Sequence, residues 1–391
     1  MRFGLNLAPQ TRVYGAFLIY SFAMGAIFPR LGDLQRQMGV AEGALGFGLI
    51  GAPVGTLISL TFASAILERV GYRRAVLWLI PLLSVFYAIA VHATGPLMLF
   101  AMLVPVGICI GAIEVIINLE ADRTEHLLGR RIMNRAHGFW SLGFFSAGLV
   151  GGGLAQLGLS PQLHLALMVP VILTATLLVL GQFDPAPHRT GTSTAKAPRF
   201  ARPTLSMLLL VAVTLSAMIM EGAGADWSAI YMRDTFHVTP FLAGFAVAIG
   251  ALTQAITRFF ADSFVERYSP TSVARVLVSI MGIGALLVFF AQSDWMALLG
   301  FGLMGVGTSA IFPLAMSAAA QRTDRPSAIN VAALAQISFV AFLLGPPLLG
   351  FVAQHFGIRW SFGIGLPLVV LSFVTAGALG SRPVPHEVPA E

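Results

Sequence analysis

Long apolar runs separated by short charged segments dominate the chain. Ten stretches contain no Asp, Glu, Lys or Arg, and the two longest, Ala75–Ile113 and Ala136–Phe183, are each long enough for two helices. A helix needs about 20 apolar residues to cross roughly 30 Å of hydrocarbon. The pattern therefore predicts twelve membrane-spanning helices, at about 13–32, 44–66, 75–92, 96–119, 137–157, 162–182, 205–232, 241–262, 271–291, 295–320, 329–351 and 358–379.

The apolar runs are continuous and lack the alternation of period two that a membrane β-barrel requires. We therefore predict an all-α integral membrane protein. The composition agrees, because 57% of the residues are apolar and only 10% are charged, whereas a soluble domain carries about 25% charged residues. This composition disfavours a cytosolic enzyme and a nucleic-acid binder, and it indicates that the chain is surrounded by lipid.

The basic residues are distributed unevenly between the two sides of the predicted membrane. With the N-terminus assigned to the cytoplasm, 18 of the 23 fall in cytoplasmic segments and 4 in outer segments. Basic residues concentrate on the cytoplasmic side of membrane proteins. We expect both termini in the cytoplasm and a bacterial-type inner membrane location. The net charge of +6 then follows from topology and does not indicate nucleic acid.

A polar, Pro- and Thr-rich stretch at 183–204 follows the sixth predicted helix. We interpret it as a cytoplasmic linker between an N-terminal bundle, 1–182, and a C-terminal bundle, 205–391. An offset of 198 residues pairs Gly46 with Gly244 and Gln156 with Gln354 at equivalent points of the two halves. Parallel six-helix repeats of this kind are one known plan of secondary transporters.

The loop after the second predicted helix reads Ser64-Ala-Ile-Leu-Glu-Arg-Val-Gly-Tyr-Arg-Arg74. It resembles the Gly-x-Leu-x-Asp-Arg-x-Gly-Arg-Arg signature of the major facilitator superfamily, with Ser64 for the first Gly and Glu68 for Asp. The segments 29–39, 129–143 and 221–233 are similar to the MosC/YbjJ-like branch, which is related to fucose permeases. The resemblance implies a major facilitator fold of two pseudo-symmetric six-helix bundles and a transporter rather than an enzyme.

Charged residues at a helix centre cost about 2.5–3.5 kcal/mol to insert and are candidates for function. Glu221 and Asp226 lie in the outer half of the seventh predicted helix. We predict that Glu221 binds a proton or substrate, and that Asp226 pairs with Arg30 or binds substrate. Trp227 and Tyr231, one helical turn apart, are candidates to stack on a sugar ring. The alternative is that the acids are structural partners of arginines and the aromatic residues belong to the interfacial belt.

Glu114 lies in the inner half of the fourth predicted helix, and Asn118 follows one turn later on the same face. A carboxylate beside an amide suits a polar ligand or a protonatable site. The alternative is a pair with Arg135 or His137 at the start of the next helix. His137 is a candidate for proton handling or for a structural hydrogen bond at the helix end.

Neutral side chains suited to substrate hydroxyls are Gln254, Asn330 and Gln336. A second set of charged residues is predicted to form gates, with ion pairs across the two halves that hold the outward-open state and break on inward opening. The alternative is ordinary positive-inside charge. The gate residues are Arg30, Glu68, Arg69, Arg73, Arg74, Arg258, Asp262, Glu266 and Arg267.

The sequence has no Gly-rich phosphate loop for ATP and no His/Cys set for a metal, so we expect no cofactor. Together these features favour a monomeric secondary transporter of a small polar solute, such as a sugar or polyol, by proton-coupled alternating access. One alternative is a proton-driven drug or metabolite exporter, although Leu149 stands where the exporter signature in the fifth helix has Pro. The other is a non-transporting membrane sensor.

Overall fold

A computed structural model describes residues 4–182, 184–187, 204–322 and 324–380. Side chains are described for these residues except at 62–70, 72, 262, 266, 327 and 328. The described residues form helices and turns and contain no strand. The predicted all-α fold class is therefore confirmed.

Twelve helical segments are long and apolar enough to span a membrane within the described residues, which confirms the predicted number. We number them α1 to α12. Their bounds are Pro9–Met38, Glu42–Thr61, Arg73–Ala90, Pro96–Leu128, Met133–Gln156, Pro161–Leu180, Leu205–Phe236, Pro240–Ala261, Pro270–Phe289, Asp294–Ala320, Ile329–Phe356 and Trp360–Leu379. The ends of odd-numbered segments and the starts of even-numbered ones lie at one end of the bundle, which we call the far end; the other is the terminal end.

The prediction that α4 ends near residue 119 was wrong. The helix continues to Leu128 and ends at Gly129, which has a positive φ of 63°. Glu120, which lies just beyond the predicted end of this helix, is only 5% exposed. Its Oε1 accepts a hydrogen bond from the N–H of Ala186 at 2.7 Å. A buried polar group needs a hydrogen-bond partner, and Ala186 provides one for this carboxylate oxygen. An acidic residue can therefore lie within this helix, and its position in the sequence did not mark the helix end.

The predicted linker at 183–204 lies outside the described residues except for 184–187 and Thr204. Its division of the chain into two bundles remains a prediction. For clarity we call α1–α6 the first half and α7–α12 the second half.

Small residues bring the two halves together. On the α5–α8 face, a Cβ added to Gly244 would lie 2.7 Å from Cα of Gly152, and one added to Gly148 would lie 2.9 Å from Cβ of Ala248. On the α2–α11 face, a Cβ on Gly46 would lie 2.5 Å from the Pro346 carbonyl oxygen. Packing of this closeness is typical of membrane helices, which associate through small residues. It places the polar side chains of α5 and α8 within hydrogen-bonding distance.

Candidate functional site

The first polar cluster lies between α1, α4 and α5. Asn118 donates from Nδ2 to Oε2 of Glu114 at 3.0 Å, and its Oδ1 lies 3.1 Å from Nε2 of His137. The Tyr20 hydroxyl lies within electrostatic range of Glu114, although it forms no hydrogen bond of ordinary geometry. Asn118 thus links a carboxylate to an imidazole, and the predicted neighbours Glu114, Asn118 and His137 form one chain.

The second polar cluster crosses from the first half to the second. Arg258 of α8 donates to the Ser141 hydroxyl of α5 at 2.8 Å and to the Ser309 carbonyl at 3.0 Å. Ser141 in turn donates to Oε1 of Gln254 at 3.2 Å, and Gln254 donates from Nε2 to Oε1 of Glu221 at 3.0 Å. The order Arg258–Ser141–Gln254–Glu221 connects α5, α7 and α8.

Arg258 brings the two clusters within electrostatic range of each other. Its guanidinium interacts with the ring of His137 and with the carboxylate of Glu221. Glu114, at the other end of the chain of contacts, has Asn118 as its amide donor. We call the residues Glu114, Asn118, His137, Arg258, Ser141, Gln254 and Glu221 the central network. It contains two carboxylates and one guanidinium, and it draws on both halves.

Trp140 lies beside this network and was not singled out from the sequence. On α5, Ser141 faces α8, whereas Gly143 faces Ser21 of α1. At 100° per residue, Trp140 and Phe144 lie between these two faces, on the side of His137. The Trp140 ring stacks on Phe144 with centroids 5.5 Å apart, and its Nε1 has no hydrogen-bond partner among the described residues.

Asp226 is isolated, in contrast to Glu221. It is 9% exposed, and no described residue forms a hydrogen bond or ion pair with it. The aromatic ring of Tyr87 on α3 is within electrostatic range. The predicted pairing with Arg30 is not observed, because Arg30 donates instead to Oδ2 of Asp33 at 3.0 Å and to Nδ1 of His164 at 3.2 Å.

Gly222 and Gly224 lie between the two carboxylates of α7 in the sequence. A Cβ added to Gly222 or to Gly224 would meet no atom within 4 Å. Glu221 itself is partly exposed. At 100° per residue the two glycines face nearly opposite sides of α7, and Gly222 is the one on the arc between Glu221 and Asp226.

Trp227 and Tyr231 point into the packing of the second half. Both side chains are fully buried. The Tyr231 hydroxyl donates to the Val288 carbonyl at 2.7 Å, and its ring packs edge-on against Phe301 and Phe362. The two residues lie one helical turn apart as predicted, but the structure packs Tyr231 against α9, α10 and α12 and places Trp227 beside Gly350 of α11.

Of the two predicted hydroxyl-binding residues of α11, Asn330 bonds outside the central network. Asn330 donates to Oδ1 of Asp324 at 2.8 Å, near the terminal end. This hydrogen bond, with those from Ser206 and Thr204, lowers the pKa of Asp324 from its usual value of 3.8. Gln336 is partly exposed. Of the three predicted hydroxyl-binding residues Gln254, Asn330 and Gln336, Gln254 is the one that forms hydrogen bonds within the central network.

Among the side chains that the structure describes, Arg73, Arg74 and Arg267 at the terminal end have no partner in the opposite half. Arg73 donates to the Gly181 carbonyl of its own half at 2.7 Å, and Arg74 and Arg267 are exposed. The side chains of Glu68, Arg69, Asp262 and Glu266 lie outside the described set, so the gate pairs remain a prediction. Arg258, also predicted as a gate residue, contacts the opposite half at Ser141 as part of the central network.

Several residues in or beside the central network were not singled out from the sequence, because their contacts are tertiary; Thr308, for example, accepts from Nε2 of Gln254 at 3.4 Å. Ser141, Thr308 and Ser309 are small hydroxyl residues in apolar runs, where such residues are common and uninformative. Ser141 gains its importance from Arg258, which lies 117 positions later. The closely packed glycines of α5 could have identified the two faces on which this helix packs. The remaining face carries Trp140.

The chain resembles known membrane transporters. A family model described as Major Facilitator Superfamily matches residues 209–391. An uncharacterized transporter of Sinorhizobium fredii is 29% identical over 363 residues, which cover 92% of this chain and 94% of that protein. Membrane protein MosC of Rhizobium meliloti is 22% identical over 351 residues, covering 89% and 84%.

Two solved structures share the fold. The D-xylose-proton symporter has a TM-score of 0.71 at 14% identity, with 95% of this chain and 96% of that chain covered. A point variant of the nucleoside transporter NupG has a TM-score of 0.68 at 14% identity, covering 95% and 99%. At these identities the likeness concerns the fold alone.

Proposed function

The chain belongs to the major facilitator superfamily, and we propose that it carries a small polar organic solute of the sugar or polyol kind, coupled to protons. The membership confirms the resemblance found in the sequence, and it makes the chain a multi-pass membrane transporter rather than an enzyme. The likeness to MosC is modest.

The observation that carries this proposal is the central network. Its hydrogen bonds join Glu221 and Gln254 of the second half to Ser141 of the first half. A solute bound there touches groups from both halves, which alternating access about a midplane site requires. Amide, hydroxyl and imidazole groups are the donors and acceptors that suit a polyhydroxy compound.

Trp140 supports the sugar or polyol class. Its indole, stacked on Phe144, is an apolar surface on the helix that carries Ser141, and its Nε1 donor has no partner among the described residues. Aromatic side chains of this kind combine an apolar surface with one polar atom, which matches a sugar ring that has an apolar face and an edge of hydroxyls. Trp140 takes the stacking role that the sequence assigned to Trp227 and Tyr231.

Two carboxylates of the network, Glu114 and Glu221, are candidates for the proton. Both lie within a membrane-spanning segment, where a charge is costly without compensation. Arg258 supplies a single positive charge for the two acids, so one of them can take up a proton without leaving an unpaired cation. Asp226, buried without a partner, is the third candidate.

A ligand screen of the purified protein tests the solute class. Bound ligand raises thermal stability by mass action, by about 2.7 kcal/mol at 100 times Kd. We expect stabilisation by one or more sugars, polyols or nucleosides, and its loss in the variants Trp140→Ala and Gln254→Ala but not in Gln292→Ala, a matched glutamine at the far end. Stabilisation by lipophilic cations alone would instead support the drug-exporter hypothesis.

A further inference from the structure

Two glutamines at the far end of the bundle make the same contact in the two halves. Oε1 of Gln354, at the end of α11, accepts a hydrogen bond from the N–H of Gly43 on α2 at 3.2 Å. Oε1 of Gln156, at the end of α5, accepts from the N–H of Phe241 on α8 at 3.4 Å. Each bond connects one half to the other.

The two contacts are related by the internal repeat. Gln156 and Gln354 are 198 positions apart, and Gly43 and Phe241 are separated by the same number. Gly43 and Phe241 are each the second residue of their helices, which begin at Glu42 and Pro240. The same bond therefore occurs twice, with the roles of the halves exchanged.

In both contacts a side chain of one half accepts a hydrogen bond from the first turn of a helix in the other half. The first N–H groups of a helix have no partner within the helix and need an acceptor. The N-cap of α2 is Ala41, whose side chain cannot accept a hydrogen bond, and no side chain of its own segment caps it. Gln354 supplies that acceptor from the opposite half, so closure of the far end completes the hydrogen bonding of a helix terminus.

A third contact joins the two halves at the far end. Arg233, at the end of α7, donates to the Gly32 carbonyl and to Oε1 of Gln35 of α1, both at 2.8 Å. Gln35 and Arg233 are also 198 positions apart. Residues equivalent by the repeat that touch each other must lie beside the axis relating the halves. Gln35 and Arg233 therefore mark the centre of the far end.

We propose that Gln156 and Gln354 form a pair of symmetric clasps that close the far end by capping helices of the opposite half. The proposal rests on the alternating access proposed above. When the far end opens, each helix terminus loses one acceptor, although α8 keeps that of its own N-cap, Thr239, so the two glutamines act as one latch. Arg233 and Gln35 hold the same closure at the axis.

The test measures the opening of the far end directly, without a solute. Spin labels are attached through Thr94→Cys and Gln292→Cys, which lie in exposed far-end loops of the first and second half. The only native cysteine, Cys109, is replaced by Ala. Pulsed electron resonance in lipid nanodiscs then gives the ratio of open to closed distances. The matched control is Gln162→Ala, which removes a glutamine bond to Gln37 within the first half.

We expect Gln156→Ala and Gln354→Ala each to raise the open-to-closed ratio about threefold, in line with the loss of one exposed hydrogen bond. The double variant should raise it about tenfold, because distant sites add, whereas Gln162→Ala should leave it unchanged. Gln156→Glu should lower the ratio, since a carboxylate binds a helix N-terminus more strongly than an amide. That variant keeps the proposal testable if a truncated side chain impairs folding.

Two contrary results have different meanings. If two distances occur and their ratio is the same in the parent, the clasp variants and the control, the clasps are refuted while alternating access stands. If every variant shows a single distance, the halves do not alternate, and both the clasps and the proposed function fall. A shifted ratio in a protein that binds no sugar or polyol would support the clasps and count against the proposed solute class.

Discussion

The hydrogen bond between Arg258 and Ser141 should be the strongest single polar link between the two halves at the level of the network. Ser141 is fully buried, and its hydroxyl accepts from Arg258 at 2.8 Å and donates to Gln254 at 3.2 Å. Ser141→Ala removes both bonds and leaves the guanidinium and an amide oxygen short of one partner each. The volume of the side chain hardly changes, so the loss is polar.

The size of the effect follows from bonds between membrane helices, which average about 0.6 kcal/mol and reach about 1.7. A bond to a charged donor is roughly twice as strong as a neutral one. We therefore expect Ser141→Ala to lower the free energy of unfolding by about 2 kcal/mol. In a double-mutant cycle with Arg258→Gln, the coupling between the two residues should be about 1 kcal/mol.

Unfolding of the purified protein in mixed micelles with increasing SDS provides the measurement. Ser216→Ala is the matched control, because Ser216 is equally buried and bonds only to a neutral hydroxyl, that of Ser372, at 2.7 Å. It should cost about 0.6 kcal/mol. Equal effects of Ser141→Ala and Ser216→Ala, with a coupling within the roughly 0.5 kcal/mol seen for independent sites, would refute the assignment of Arg258 to the network.

Three further variants test other parts of the structure. Gly244→Val should impair folding or far-end closure, because its Cβ would lie 2.7 Å from Cα of Gly152; an unchanged yield and melting temperature would contradict this packing. Arg30→Gln should lower the free energy of unfolding by about 3 kcal/mol, since a buried guanidinium with three partners is lost; SDS titration measures it. Asp324→Ala should destabilise the protein slightly above pH 4 and less as the pH falls, because the folded-state pKa of Asp324 is depressed and its stabilising contribution disappears on protonation; a pH series of melting temperatures checks the sign.

The sequence predicts the fold well because lipid imposes a simple rule. A run of about 20 apolar residues without charge has few alternatives to a spanning helix, so the number of helices was confirmed. Helix ends were less predictable, as α4 shows. Glu120 is an acidic residue and still lies inside the helix, where Oε1 of its carboxylate accepts from the N–H of Ala186, 66 positions away.

The candidate site could be predicted only in part, for a related physical reason. A carboxylate in an apolar run is conspicuous, so Glu114 and Glu221 were found from the sequence alone. Which groups they meet depends on helix rotation and on contacts between the halves. Tyr231 is an aromatic residue of the kind that binds sugars, but it packs against Phe301 and Phe362. Trp140 is the aromatic residue that lies beside the network.

The pairing of charges also depends on three-dimensional context. Arg30 was expected to reach Asp226, because both lie toward the same side of the membrane. A short 3-10 turn, Phe28–Arg30, aims the arginine back toward Asp33 and His164 of its own half instead. Among the described residues, Asp226 therefore has no cation beside it, and the sequence did not predict this.

Solute accumulation driven by a pH gradient tests the central claim most directly. The protein is reconstituted in liposomes with the sugar or polyol that stabilises it most, and uptake is followed with and without an imposed proton gradient. The account predicts accumulation in the parent and in Asp294→Asn, an acid at the far end. In Glu114→Gln or Glu221→Gln, it predicts solute exchange without accumulation. Undiminished accumulation in the double variant Glu114→Gln/Glu221→Gln would contradict it.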